Sequence, residues 1–199
     1  MGARDPERGQ AAAAALGARF VQLDVTDDAS VGAAVSVVGE RVGRLDILIN
    51  NAGIGGRAAA EEVTADDLRR LYETNVFGVV RVTHAFLPLL KAAEAPSVIN
   101  VSSGMGSFAA MTETEWARFG SVAYCSSKSA VTMVTIQYAN GLPGIRFNAV
   151  DPGYTATDLN GRTGTQTVQE GTDAVVRLAL LGGAAPTGTF TDRNGTVPW

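Results

Sequence analysis

Leu45 to Ile49 is a nearly unbroken apolar run of strand length. Runs of this kind fit strands of a parallel sheet covered on both faces, because neither side meets solvent. Ser97 to Val101 and Ile145 to Val150 repeat the pattern, Phe20, Val21 and Leu23 form a shorter strand ending at Asp24, and Thr187 to Thr191 can form a last one. Residues 1–4 read as the tail of another strand. Helix-opening signals stand between these runs. Asp5 followed by Pro6 supplies an N-cap acceptor and a proline at the first helical position. The helix then runs through Ala11 to Ala15 and stops near Gly17. Thr26 or Asp27 caps a helix to about Val42. Thr64 caps a long one through Leu71, Phe77, Val80 and Phe86, which Pro88 bends or ends. Residues 104–120 read as irregular, the helix holding Tyr124 and Lys128 runs to about Asn140, and a final helix covers roughly 167–182. Strands alternating with helices imply an α/β chain, a parallel sheet with helices on both faces. At 199 residues, 1–199 is expected to be a single domain.

Composition narrows the partners. The net charge is −4 with no basic cluster, which leaves no footprint for nucleic acid. One cysteine, Cys125, allows no internal disulfide, and with the single His84 it offers no metal-ligand cluster. No apolar run reaches the length of a membrane span. The start, Met-Gly-Ala-Arg-Asp-Pro, is polar and unlike a secretory leader. A cytoplasmic enzyme or binding protein for a small molecule is expected.

Chemistry concentrates at Tyr124-Cys125-Ser126-Ser127-Lys128, with Ser103 twenty-one residues earlier. Residues four apart stand on one helix face. A protonated lysine beside a phenol favours phenolate, so the Tyr124 pKa is expected to fall from about 10 toward neutrality. Such a tyrosine can exchange a proton with a reacting oxygen, which a serine hydroxyl can hold by hydrogen bond. Asn50-Asn51-Ala52-Gly53 follows a strand; its amides can tie loops together, and its small residues admit a flat ligand or simply make a turn. Asp24, Asn50 to Gly53, Ser103 and Pro152-Gly153 all follow strands, where open α/β sheets place their sites. His84 and Cys125 read as structural. Met105, Phe108, Met111, Trp116 and Phe119 could equally line an apolar pocket or pack a surface loop.

In order, Leu23-Asp24-Val25, Asn50 to Gly53, Asn75 in Asn-Val-Phe-Gly, Asn100-Val-Ser-Ser103, Tyr124 to Lys128 and Pro152-Gly153-Tyr-Thr-Ala-Thr157-Asp158 resemble the short-chain dehydrogenase/reductase family over essentially the whole chain. The likeness is strongest to carbonyl-reductase-like members. It implies a Rossmann-like, doubly wound parallel sheet and an NADP(H)-dependent oxidoreductase interconverting a carbonyl and an alcohol. Tyr124 would be the acid or base, and Lys128 would lower its pKa and hold the nicotinamide ribose. Ser103, rather than Ser102, would orient the substrate oxygen. Asn75 would kink its helix and hold a relay water. Asp24 and Val25 would contact adenine, and Asn50, Ala52 and Gly53 the cofactor's inner edge. Pro152, Gly153, Thr155 and Thr157 would line the nicotinamide and pyrophosphate. Arg4 at the end of the second strand would grip a 2′-phosphate, favouring NADP over NAD, whereas Asp5 beside it could hold the 2′-hydroxyl of NAD. A homodimer or tetramer through the helices of Asn75 and Tyr124 is also implied.

The chain departs from the family pattern at its start. No G-x-x-x-G-x-G precedes the helix at Asp5, so the first βα unit and most of the second strand are absent. Three readings follow: a truncated normal enzyme, which the intact later motifs favour; a rearranged sheet pairing 20–24 directly with 45–49; or a partner chain in the gap. Two other classes stay open, a non-catalytic binding or regulatory protein on this fold, and a lyase or isomerase without net hydride transfer.

Overall fold

The computed structural model describes residues 1–56, 58–113 and 121–199; Trp116 and Phe119 lie outside them. The chain runs β1 (Gly2–Ala3), α1 (Pro6–Ala15), β2 (Val21–Gln22), α2 (Asp28–Val42), β3 (Ile47–Asn50), α3 (Ala65–Tyr72) and α4 (Gly78–Lys91). It continues through β4 (Ser97–Val101), α5 (Phe108–Glu113), α6 (Val122–Gly141), β5 (Arg146–Val150), α7 (Val168–Leu180) and β6 (Thr189–Thr191). The cap residues act as their chemistry dictates. The Asp5 carboxylate accepts the Arg8 N–H at 3.0 Å, and Asp27 accepts that of Ala29 at 2.9 Å. Thr64 with Asp67, and Thr167 with Glu170, close reciprocal capping boxes.

All strand pairs are parallel, but they form two sheets, β1-β2 and β3-β4-β5-β6. The direct pairing of the 20–24 and 45–49 strands does not occur: Val21 and Gln22 pair with Gly2 and Ala3. Alternation along the larger sheet builds its two covers. Val98 and Phe147, register partners, pack with Val31, Val82, Phe86 and Leu90 beneath α2 and α4. Ile99 and Val150 face the other way, against Ala174 and Leu178 of α7. The expectation that β3 is buried on both faces is corrected. Leu48 joins the α2–α4 cluster, but Ile47 and Ile49 remain 36% and 43% exposed on the opposite face.

Two helical expectations change as well. The long helix after Thr64 is interrupted by a five-residue π turn, Glu73–Phe77, that carries Asn75. Pro88 lies inside α4 on its exposed side and does not end it; the bond it cannot make would fall to the carbonyl of exposed His84. The stretch read as irregular contains α5, whose Ala109 N–H donates to the Trp199 carbonyl at 3.0 Å. Ser107 also donates to the Pro198 carbonyl, at 2.6 Å.

Glu170 gives the fold an acid-sensitive point. The Thr167 backbone N–H and Arg193 (2.9 Å) depress its carboxyl from 4.5 to about 2. A depressed folded pKa stabilises above the unfolded value and loses that contribution as pH falls through the folded one. The melting temperature should therefore drop between pH 4.5 and about 2, and Glu170→Gln should flatten that part of the Tm–pH curve.

Candidate active site

α6 brings the central residues together. Its buried stripe, Ala123, Ser127, Lys128, Val131, Thr132, Thr135 and Ala139, follows the three-and-four spacing of a helix face laid on the sheet. Several members are polar, and each is satisfied. Thr135 accepts from the Asn100 amide at 2.9 Å. Ser102 bonds the Lys128 carbonyl and Thr132, both at 2.9 Å, and is 2% exposed. The neighbouring Ser103 turns the other way: its hydroxyl stands on the Tyr124 side and accepts the Met105 N–H at 3.2 Å. Of the two serines, only Ser103 reaches Tyr124.

Lys128 is 5% exposed, and its Nζ donates to the Val101 carbonyl at 2.9 Å. Burial lowers its pKa to about 8. The ammonium stands 5.8 Å from the Tyr124 ring centroid. The expected fall of the Tyr124 pKa is reversed. Burial raises it, and the Ser103 bond only partly offsets that. The physical reason is that burial disfavours the phenolate, and the Asp151 carboxylate nearby disfavours it further.

Asn75 closes the site from below. Its Oδ1 accepts the Ile54 N–H at 2.8 Å, while Nδ2 donates to the Ile54 carbonyl and to Ser127 Oγ, both at 3.0 Å. The π turn thus ties the loop after β3 to α6. In that loop, Gly53 is so placed that a Cβ would lie 3.5 Å from both Asn75 Oδ1 and Lys128 Nζ. Ala52 precedes it. Asn50, in contrast, turns inward, donating to Asn100 (2.8 Å) and Thr83 (3.1 Å), so its amide serves the core and not the cleft.

The remaining predicted residues form two outlying groups. Arg4 and Asp24 line one cavity of about 350 Å³ with Gln22, Asp27, Ser30 and Ala33. Val25 instead packs on Gly78, where a Cβ would meet its side chain at 2.9 Å. Past β5, Gly153 takes φ +69°, a left-handed conformation that glycine adopts freely. Thr155 Oγ1 donates to the Pro152 carbonyl at 2.9 Å, and Thr157 opens a short 3-10 turn with Asn160. Phe108 is 70% exposed and packs little.

Two residues of this region escaped the sequence reading. Asp151, just after β5, accepts the Gly153 N–H at 2.9 Å and lies against Gly104. The Gln166 carboxamide lies against Gly153, where a Cβ would overlap it, and its Oε1 is buried without a partner among the described residues. Asp151 could have been noticed as a charged residue directly before Pro152-Gly153. Nothing in the sequence marks Gln166.

Ser103 after β4 and Tyr124 and Lys128 of α6 gather at the carboxyl end of a parallel sheet, where open α/β folds place their sites. The family model for short chain dehydrogenase matches residues 1–167, and the chain belongs to that family as an oxidoreductase. It is similar to (+)-neomenthol dehydrogenase of Arabidopsis thaliana, 34% identical, covering 88% of this chain and 77% of the relative. Salutaridine reductase of Papaver somniferum is 30% identical, with 87% and 77% covered. Among solved structures, NADPH-bound carbonyl reductase from chicken fatty liver superposes with a TM-score of 0.87 at 32% identity, covering 100% of this chain and 86% of its own.

Proposed function

We propose that the protein is an NADP(H)-preferring reductase or dehydrogenase that interconverts a small-molecule carbonyl and its alcohol. The observation that carries this reading is the gathering of Ser103 and Tyr124 beside buried Lys128, whose ammonium stands 5.8 Å from the Tyr124 ring centroid. In reduction, Tyr124 gives its proton to the carbonyl oxygen and Ser103 holds that oxygen by hydrogen bond. In oxidation the same phenol oxygen takes the alcohol proton. Lys128, cationic below about pH 8, stabilises charge developing at Tyr124. Asn75 keeps the loop after β3 and α6 in register while this happens.

The residues present fit a nicotinamide dinucleotide. Gly53 presents bare backbone beside Lys128, where a Cβ would come within 3.5 Å of Nζ, and the Gln166 Oε1 beside Gly153, without a partner among the described residues, matches a carboxamide donor. Arg4 lines the cavity of Asp24, while Asp5 is engaged at its helix cap, so the cation at this strand end is the freer group for a 2′-phosphate. When bound, the nicotinamide supplies or accepts the hydride.

The test is fluorescence titration with NADPH and with NADH. Tighter NADPH binding is expected; absence of binding at millimolar concentration would sink the reading. Arg4→Ala should weaken NADPH by about tenfold or more, the scale of a charge-assisted hydrogen bond, and leave NADH nearly unchanged. Equal loss for both would remove Arg4 from phosphate recognition.

A further inference from the structure

Asp151 is a half-buried carboxylate in the middle of the site that the reaction described above does not use. Its position is fixed from three sides. Its own N–H donates to the Thr191 carbonyl of β6 at 2.8 Å. Its Oδ1 accepts the Gly153 N–H at 2.9 Å, and its carboxylate lies against Gly104, the residue after Ser103. Contact with Gly104 is so close that a Cβ there would lie 2.7 Å from Asp151 Oδ2. One carboxylate therefore binds the Ser103 loop to the loop after β5.

The same placement sets it beside the ionisable pair. Lys128 Nζ is anchored on the Val101 carbonyl, and Val101 is the register partner of Val150, which immediately precedes Asp151. The charged and titratable groups facing Asp151 are Lys128 and Tyr124 from α6 and Asp192 from beyond β6. Burial opposes its ionisation most and, with Asp192, raises its pKa above the ordinary carboxylate value; the backbone N–H groups and Lys128 pull the other way.

We propose that Asp151 is a positioning residue of the reductase site, joining the Ser103 loop to the Gly153 loop and setting a carboxylate beside Tyr124 and Lys128. This rests on the reading of Tyr124 as the proton-transfer group. A carboxylate near a phenol disfavours phenolate, and near an ammonium it favours the protonated form, so both effects act in one direction. Its charge raises Tyr124 and Lys128 alike. Removing the charge while keeping the shape should let both lose their protons at lower pH.

The test is direct titration of tyrosinate absorbance in the full chain, with no substrate or cofactor. Tyr124→Phe subtracted from the unmodified protein isolates the Tyr124 curve, and the same subtraction is made in Asp151→Asn. A shift of the Tyr124 midpoint to lower pH by roughly one unit is expected; an unshifted midpoint, or one moved upward, overturns the proposal. Asp151→Ser, whose hydroxyl can still accept a backbone bond, should show the same shift and serves if Asp151→Asn does not fold. Unfolding of both variants would assign Asp151 to the fold alone and also overturn it. Because the readout needs no turnover, it is separate from the test of Tyr124 itself, where retained activity in Tyr124→Phe would sink the catalytic reading and leave the titration standing.

Discussion

Replacing Tyr124 by phenylalanine should cut turnover of a carbonyl substrate by about 10²–10⁴-fold, the range of a positioned general acid, with little change in melting temperature. The ring contributes the packing, and phenylalanine keeps it. What is lost is the one hydroxyl that meets Ser103. Ser103 would retain its bond from the Met105 N–H, so its loop should hold its place. The loss should fall on kcat rather than on NADPH affinity, since the phenol oxygen acts on the reacting oxygen and not on the cofactor's grip. Steady-state kinetics, NADPH titration and a thermal melt on the same preparation check this. Substantial residual turnover in the variant would remove Tyr124 from proton transfer.

The second large effect is expected at a residue with no side chain. A Cβ on Gly106 would stand 2.7 Å from the Lys128 carbonyl carbon, and 2.9 Å from both the Lys128 Cβ and oxygen. Those are backbone and near-backbone atoms, not the end of a flexible side chain. Ser129 Oγ donates to the Gly106 carbonyl at 2.9 Å, so loop and helix are also held together there. Gly106→Ala must therefore push α6 off the loop. Overpacking of this kind costs about 1–3 kcal/mol. Because the displaced turn carries Lys128 and Tyr124, a shift approaching 1 Å should lower kcat by about 10²-fold as well. Gly32→Ala is the matched control, since no atom lies within 4 Å of its added Cβ in α2. It should stabilise by up to about 1 kcal/mol through helix propensity alone. A Gly106→Ala protein with unaltered Tm and kcat would show that the loop yields freely.

Much of the fold was legible because its boundaries are set by local chemistry. Asp5-Pro6, Asp27, Thr64 and Thr167 each satisfy helix N–H groups with their own side chains, and that competence is visible in the sequence. The π turn at Glu73–Phe77 was not legible in the residue spacing, and only the family resemblance placed a kink at Asn75. Its apolar spacing continues that of the flanking helices, and the cause lies in the bonds Asn75 makes to Ile54 and Ser127, far away in sequence. The gathering of Ser103, Tyr124 and Lys128 followed from strand ends and one helix face. The direction of the Tyr124 shift did not, because desolvation depends on everything packed around the phenol. Asn50 shows the same limit: a residue at the right strand end spends its amide on Asn100 and Thr83 once the sheet is assembled.

The division of the strands into two sheets gives the molecule two tiers of stability. Among the described residues no backbone ladder joins β1-β2 to β3. What holds the smaller unit is side-chain packing of α2 on α4 and the Arg81 guanidinium, which bonds Asp28 at 2.6 Å, Glu73 at 2.9 Å and the Val25 carbonyl at 2.7 Å. Amide exchange should therefore be fast in β1 and β2 and slow in β4 and β5, the smaller unit opening locally while the larger sheet stays shut. Arg4 and Asp24 belong to that opening unit. A dinucleotide reaching from Arg4 to Lys128 would then act as a clasp across the two tiers, and part of its binding energy would be spent in closing them.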